Sequence, residues 1–344
     1  MKVIQRMLLL SICLFLASCR LFDIYKFAQD EKYLWVINSD GSDLHKLISM
    51  SHAPFKESSI WDIYVTMDGR PIIGADKFYL NVSDNLHWIS FGEGISKDFL
   101  KRLSLSKDNK AYYCCNGDLI QFDLATHTQM NLTASIDGYY VDPMISSDNS
   151  IVTLIYKPSY ESHEQILCYY KVADGSMTLV PQGGSTVFNG VYSPFDNRLY
   201  YEKSAVGWDG PYGGLYKIDL DGANDTSIVM NFTNIDLSFG FTSIAQNIAM
   251  VHRIDGYHSL YDYSLYVINV TDNSSVLYTE LRSSLPVKFP QDSPEIFFAV
   301  YGDIYGVNMN THQWSSIPNT PYVKSYICPT WDGKKMFFIT REEE

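Results

Sequence analysis

The chain has 344 residues and a formal net charge of −13, with 46% hydrophobic, 19% charged and 15% aromatic residues. This composition excludes wholesale disorder, and a net-negative chain with no basic run is repelled by phosphate backbones, so nucleic acid is not an expected partner. The 26 Tyr, 18 Phe and 6 Trp over-supply residue types that pack well on pleated surfaces.

Residues 1–18 have three parts. Lys2 and Arg6 give a positive start, Met7 to Ala17 is an apolar stretch, and Leu16-Ala17-Ser18-Cys19 closes it with small residues before a cysteine. Eleven residues, all but Ser11 apolar, at about 1.5 Å each cannot cross a hydrocarbon core of about 30 Å, but they suffice for a secretory signal. The Leu-Ala-Ser-Cys ending resembles the lipobox of bacterial lipoproteins. That resemblance implies cleavage before Cys19, acylation of its thiol (palmitate is one such chain) and attachment to the cell envelope. Removing residues 1–18 takes away Lys2 and Arg6 and no acid, leaving −13 − 2 = −15 for the mature chain. No other segment approaches 18 apolar residues, so the lipid on Cys19 is the expected membrane anchor and residues 19–32 its tether. Arg20 rather than Asp after the cysteine favours the outer membrane in a cell with two membranes.

Beyond the tether, Tyr33-Leu34-Trp35-Val36-Ile37, the turn Asn38-Ser39-Asp40-Gly41 and the strand from Leu44 to Ile48 form a hairpin. A turn signal then recurs at Asp68-Gly69, Asp108-Asn109, Asp148-Asn149, Asp196-Asn197, Gln246-Asn247, Asp292-Ser293 and Asp332-Gly333, in steps of 40, 40, 48, 50, 46 and 40 residues. Asp-Gly and Asp-Asn suit tight turns because Gly and Asn tolerate left-handed backbone angles. An apolar strand follows each turn, as in Ile151 to Tyr156 and Met336 to Thr340. A further strand then leads into a second polar turn, as in Leu215 to Leu220 before Asp221-Gly222. Two hairpins per repeat make four strands, and four strands at this period make a propeller blade.

The last turn, at Asp332, is followed by one strand before the chain ends, while the first hairpin lacks a partner. Joining these halves predicts an all-β, seven-bladed propeller of four-stranded blades, closed by the N-terminal hairpin against the C-terminal strands. The blades are expected at about 60–91, 101–133, 140–181, 188–230, 237–281, 287–318, and 325–340 with 33–48, within a propeller domain spanning 33–344. A six- or eight-bladed ring is the alternative, whereas a solenoid would need capping repeats instead of complementary halves.

Thr330-Trp331-Asp332-Gly333-Lys334 and Leu215-Tyr216-Lys217-Ile218-Asp219-Leu220-Asp221-Gly222 resemble the propeller repeats of TolB-like proteins and of prolyl oligopeptidases. The repeat count departs from the six blades usual in TolB, so a TolB role is not implied. No Gly-x-Ser-x-Gly elbow, phosphate loop or His-Glu-x-x-His occurs, so no catalytic residues are assigned. Cys114, Cys115, Cys168 and Cys328 show no ligand spacing and are expected as buried free thiols, with no metal or other cofactor. Asp219 to Asp225 reads as a repeat turn, not a calcium loop.

Three loops joining second to third strands are long: Pro158 to Gln165, Lys203 to Gly214 and Arg253 to Tyr263. They carry Tyr160, His163, Trp208, Asp209, Tyr212, Tyr257, His258, Tyr261 and Asp262, aromatic plates beside carboxylates that suit a protein, peptide or glycan. These are the candidate ligand-binding residues. The expected function is that of a non-catalytic, envelope-anchored binding or assembly lipoprotein. The alternative is a polysaccharide-active, lyase-like enzyme, because lyases of the oligogalacturonate type resemble this repeat style; it would place its site in the propeller channel.

Overall fold

The computed structural model describes residues 32–56, 59–83, 87–92, 102–181, 186–204, 213–232, 239–241, 247–253, 262–269, 272, 274–282, 288, 290, 292–300, 303–318, 320 and 325–341. The first described hairpin is β1 (Lys32–Asn38) and β2 (His45–Ser49), followed by a single 3-10 turn at Met50–His52. The first blade is β3 (Asp62–Val65), β4 (Pro71–Gly74), β5 (Phe78–Ser83) and β6 (His87–Phe91). The second is β7 (Ser104–Leu105), β8 (Lys110–Cys115), β9 (Asp118–Asp123) and β10 (Gln129–Asn131). The third holds β11 (Tyr139–Ile145), β12 (Ile151–Lys157), β13 (Ile166–Lys171) and β14 (Met177–Leu179). In the fourth are β15 (Thr186–Ser193), β16 (Arg198–Ser204), β17 (Gly213–Asp219) and β18 (Thr226–Phe232). The fifth has β19 (Phe239–Phe241), β20 (Asn247–Arg253), β21 (Asp262–Asn269) and β22 (Ser275–Arg282). A further sheet contains β23 (Glu295–Val300), β24 (Asp303–Asn308) and β25 (Trp314–Ile317), and the chain finishes with β26 (Ser325–Pro329) and β27 (Lys335–Arg341).

The strand order β2-β1-β27-β26 makes the last blade from both ends of the chain. Lys32 pairs with Arg341, Tyr33 with Thr340, and so on without interruption to Asn38 with Lys335. The fold is thus an all-β propeller of four-stranded antiparallel blades, but among the described residues six sheets are four-stranded where seven had been expected. Among the described residues the sheet of β23 to β25 has three strands, and Lys288 bridges Phe297 beside β23 with a backbone hydrogen bond in each direction.

Turn chemistry follows the repeat signal. Gly41, Gly69, Asn109, Asn149, Asn197, Gly222 and Gly333 all have positive φ. The turn carboxylates accept local hydrogen bonds: Asp148 Oδ1 from Ser146 and Ser150 hydroxyls, and Asp40 Oδ1 from the Ser42 hydroxyl and N–H. Side-chain and then backbone bonds from Ser42, Ser176 and Ser274 hold Asp40, Asp174 and Asp272 below the ordinary carboxylate value of 3.8. A depressed carboxyl stabilises the fold above its unfolded value and loses that contribution as pH falls through its folded value. The melting temperature is therefore expected to decline modestly on acidification below about pH 4, because these carboxylates are exposed and screened by solvent. A flat thermal-melt profile from pH 6 to pH 3 would show that these turns do not contribute.

Apolar residues on alternate strand positions pack between neighbouring blades. Leu34, Val36 and Ile339 of the closing blade share a core with Ile63, Val65 and Ile73 of the first. Ile37, Met336 and Phe338 share another with Phe297, Ala299 and Ile304 of the three-stranded sheet. The indole N–H of Trp331 adds a 2.9 Å bond to the Val65 carbonyl.

Candidate functional site

First strands meet around the axis, with β26 against β3, β11 against β7 and β15, and β15 against β19. Second-to-third connections therefore leave on one face, opposite the Asp-Gly and Asp-Asn turns that join first to second strands. Pro158 to Gln165 joins β12 to β13 on that loop face; Tyr160 there is 40% exposed and His163 is exposed. Tyr160 is edge-on to Tyr139 at 5.4 Å between ring centroids, and its carbonyl accepts a 2.9 Å bond from Lys157 Nζ. Asp262 opens β21 and pairs with Arg282. Cys19, Trp208, Asp209, Tyr212, Tyr257, His258 and Tyr261 lie outside the described residues.

A charged axis is the feature that the sequence reading missed. Arg102, just before β7, donates from Nη1 to Asn189 Oδ1 at 3.0 Å. Asn189 Nδ2 in turn donates to Glu202 Oε2 at 3.1 Å. This link runs from the second blade to the fourth. Lys288 Nζ binds both oxygens of Asp62, at 2.6 and 2.8 Å, from the three-stranded sheet to the first blade. Lys107 Nζ reaches Asp292 Oδ1 at 2.7 Å, between the second blade and the three-stranded sheet. The Arg102–Asn189, Lys288–Asp62 and Lys107–Asp292 contacts each skip at least one blade, which requires crossing the inside of the ring.

Local backbone places these groups. Asp142 (φ 60°), Asn189 (φ 42°) and Tyr326 (φ 45°) sit in irregularities of the first strands β11, β15 and β26. A bulge re-aims one side chain out of the alternation, and Asp and Asn tolerate the left-handed angle better than most residues. The Tyr326 hydroxyl donates to the Ile60 carbonyl at 2.7 Å. Asp142 is buried, its Oδ1 3.7 Å from Arg102 Nη1 and without a hydrogen bond. Burial pushes its carboxyl above the ordinary value, and the charge of Arg102 opposes this less strongly. Tyr64 lies beneath the Lys288 ammonium at 5.5 Å; burial and then the charge of Asp62 push its hydroxyl well above 10.0. A charged residue inside an apolar strand, as in Val141-Asp142-Pro143-Met144 or Tyr200-Tyr201-Glu202, was the available signal.

Cys114, Cys115, Cys168 and Cys328 are free thiols; Cys168 is buried and the others half-buried, short of the full burial expected for all four. Burial pushes the Cys328 thiol up to about 12, making it a poor nucleophile. Asp219 bonds Arg198 Nε at 2.7 Å and Asn224 Nδ2 at 2.5 Å, while Asp225 accepts from Tyr201 and Lys203, so these carboxylates diverge within a turn. Among the described residues, no three His, Cys, Asp or Glu side chains gather as a metal site. No helix among them is long and apolar enough to cross a membrane.

No protein-family model matches the chain, and no curated protein matches it. Solved propellers do. A structure assigned as TolB from Agrobacterium tumefaciens aligns at TM-score 0.51 and 11% identity over 91% of this chain and 99% of that one. An oligogalacturonate lyase in complex with manganese aligns at 0.58 and 14% over 82% and 89% respectively. A prolyl endopeptidase aligns at 0.56 and 14%, over 92% of this chain and 52% of its own. At such identities these structures share the fold.

Proposed function

We propose that this chain is a non-catalytic binding or assembly lipoprotein, anchored in a bacterial envelope through Cys19. In this reading a propeller, with the three-stranded sheet counted as a seventh blade, presents its loop face to a peptide, protein or glycan. The carrying observation is that Lys107, Lys288 and Arg102 all bond across the axis to other groups of the ring. Charges so engaged cross-link the scaffold, and binding then falls to the loops it holds in place. Trp208 is the principal anchor, because Gly207-Trp208-Asp209-Gly210-Pro211 is a turn sequence with no packing reason for an indole. Asp209, Tyr212, Tyr257, His258, Tyr261, Asp262, Tyr160 and His163 surround it in the proposed surface.

Two measurements test this reading. Cys19→Ala is expected to abolish labelling by a fatty-acid analogue and leave the chain soluble or uncleaved; unchanged labelling would refute the anchor. Pull-down of the native lipoprotein should identify the partner. Trp208→Ala or Tyr257→Ala should then weaken its capture by about 2 kcal/mol or more, with an unchanged melting temperature. A large fall in melting temperature would show that these rings pack the loops instead.

The lyase-like alternative has one observation in its favour, the buried Asp142 carboxylate whose Oδ1 has no hydrogen bond beside Arg102. It predicts cleavage of acidic polysaccharide that Asp142→Asn abolishes.

A further inference from the structure

Arg102 stands between two acceptors that belong to different blades. Its Nη1 donates to Asn189 Oδ1 of β15 at 3.0 Å, and the same nitrogen is 3.7 Å from Asp142 Oδ1 of β11, too far for a hydrogen bond. Both acceptors sit in irregular stretches of first strands, at φ 42° and φ 60°, which turn their side chains out of the alternation. Asn189 passes the link on to Glu202 of β16, donating from Nδ2 at 3.1 Å. Asp142 has no such outlet. Its side chain is 5% exposed, and its Oδ1 is closed to solvent and accepts no hydrogen bond.

The charge on Asp142 decides whether that arrangement holds. A neutral carboxyl tolerates a dry place far better than a carboxylate, whose lost hydration has to be replaced by a cation or an N–H. Other charged groups on the strands packed against β11 are engaged elsewhere. Lys110 of β8 holds Asp108 at 2.9 Å, Asp118 of β9 accepts from Asn131 and Thr133, and Lys157 of β12 donates to the Tyr160 carbonyl. On β15 the Tyr192 hydroxyl donates to Asn197, and β7 carries no ionisable side chain. Burial and then the charge of Asp142 push the Cys114 thiol of β8 well above 9.0, so it stays neutral. Arg102 is the cation within reach.

We propose that Arg102 is a proton-controlled switch in the cross-link of the ring. While Asp142 is neutral, Arg102 ties the second blade to the fourth through Asn189 and Glu202. When Asp142 ionises, the guanidinium turns onto its Oδ1, closes the 3.7 Å gap to hydrogen-bond length and loosens its hold on Asn189. The second blade is then bound to the third. Acid strengthens the link that crosses the axis, and a higher pH hands it to the adjacent blade.

Burial raises the Asp142 carboxyl above the ordinary 3.8, and the charge of Arg102 opposes this less strongly. A carboxyl raised in the folded state keeps its proton there longer than in the unfolded chain. The stability it contributes is complete below 3.8 and is lost as pH rises to its folded value, the opposite of the turn carboxylates.

The test follows both partners by NMR in the full chain, isotope-labelled at aspartate carboxyl carbons and arginine side-chain nitrogens and assigned through the backbone resonances. Asp142 is expected to titrate above the ordinary range, and the Arg102 signal to move with the same midpoint. In Asp142→Asn the Arg102 signal should stay where acid puts it in the parent. An Arg102 signal indifferent to the Asp142 midpoint overturns the switch, as does an Asp142 carboxyl that titrates in the ordinary range. Urea denaturation gives an independent reading. Relative to Asp142→Asn, the unfolding constant of the parent is expected to rise by up to about tenfold per pH unit above pH 3.8 and to level off at the Asp142 midpoint. A ratio that does not change with pH overturns the proposal.

Discussion

A chain lacking residues 33–48 is expected to lose cooperative folding altogether. β1 forms the middle of the closing blade, paired with β27 over its whole length and with β2 on its other side. Its deletion removes Leu34, Val36, Ile37 and Ile48, which are 0, 4, 0 and 5% exposed. Each such side chain contributes about 1.5–3 kcal/mol by burial, and their sum is comparable with the whole stability of a domain. The loss also uncovers cores shared with blades on both sides and leaves two open sheet edges. Denaturation of the truncated chain should show no sharp transition. A cooperative melt at the parent temperature would mean that the ring closes some other way.

The second large effect is expected at Arg102. Its guanidinium is the donor to Asn189 and the neighbouring cation of buried Asp142, whose side chain is 5% exposed. Arg102→Met leaves that carboxyl without a counter-charge in a poorly hydrated place. Removing one partner of a buried charge pair costs about 3 kcal/mol, most of it the penalty of the group left behind. Adding Asp142→Leu should recover part of the loss, since an apolar replacement of both members is often tolerated. Urea denaturation of the two variants measures this. If Arg102→Met were as stable as the parent, the axis would not be the cross-link described above.

Blade order and closure were legible because both rest on local chemistry repeated along the chain. Asp148-Asn149-Ser150 and Thr330-Trp331-Asp332-Gly333 announce turns by residue types that accept φ > 0, and the short, continuously apolar strands after them read as core strands, buried at all but one position in β12. The complementary halves at the two ends could be read from their phase alone. The charged axis could not. Lys288 and Asp62 are 226 positions apart, and only the curvature of a closed ring brings them together. Asn189 occupies a bulge inside β15 with its side chain bonded to Arg102 and to buried Glu202, a placement that no local residue pattern announces. The blade at about 287–318 was expected with four strands; among the described residues its sheet has three, with the Lys288–Phe297 bridge beside β23. Of the candidate binding residues, Tyr160 and His163 are exposed on the loop face as their loop sequence suggested.

The central claim, that the loops bind while the axis holds the ring together, is tested most directly by one crossed comparison. Partner capture and melting temperature are measured together on Trp208→Ala and Arg102→Met, each in the full-length lipidated chain. The account predicts that Trp208→Ala loses capture at an unchanged melting temperature, while Arg102→Met captures normally at temperatures where it stays folded but melts earlier. The reverse pattern, with capture lost in Arg102→Met at an unchanged melting temperature and retained in Trp208→Ala, would contradict it and move the functional site into the axis.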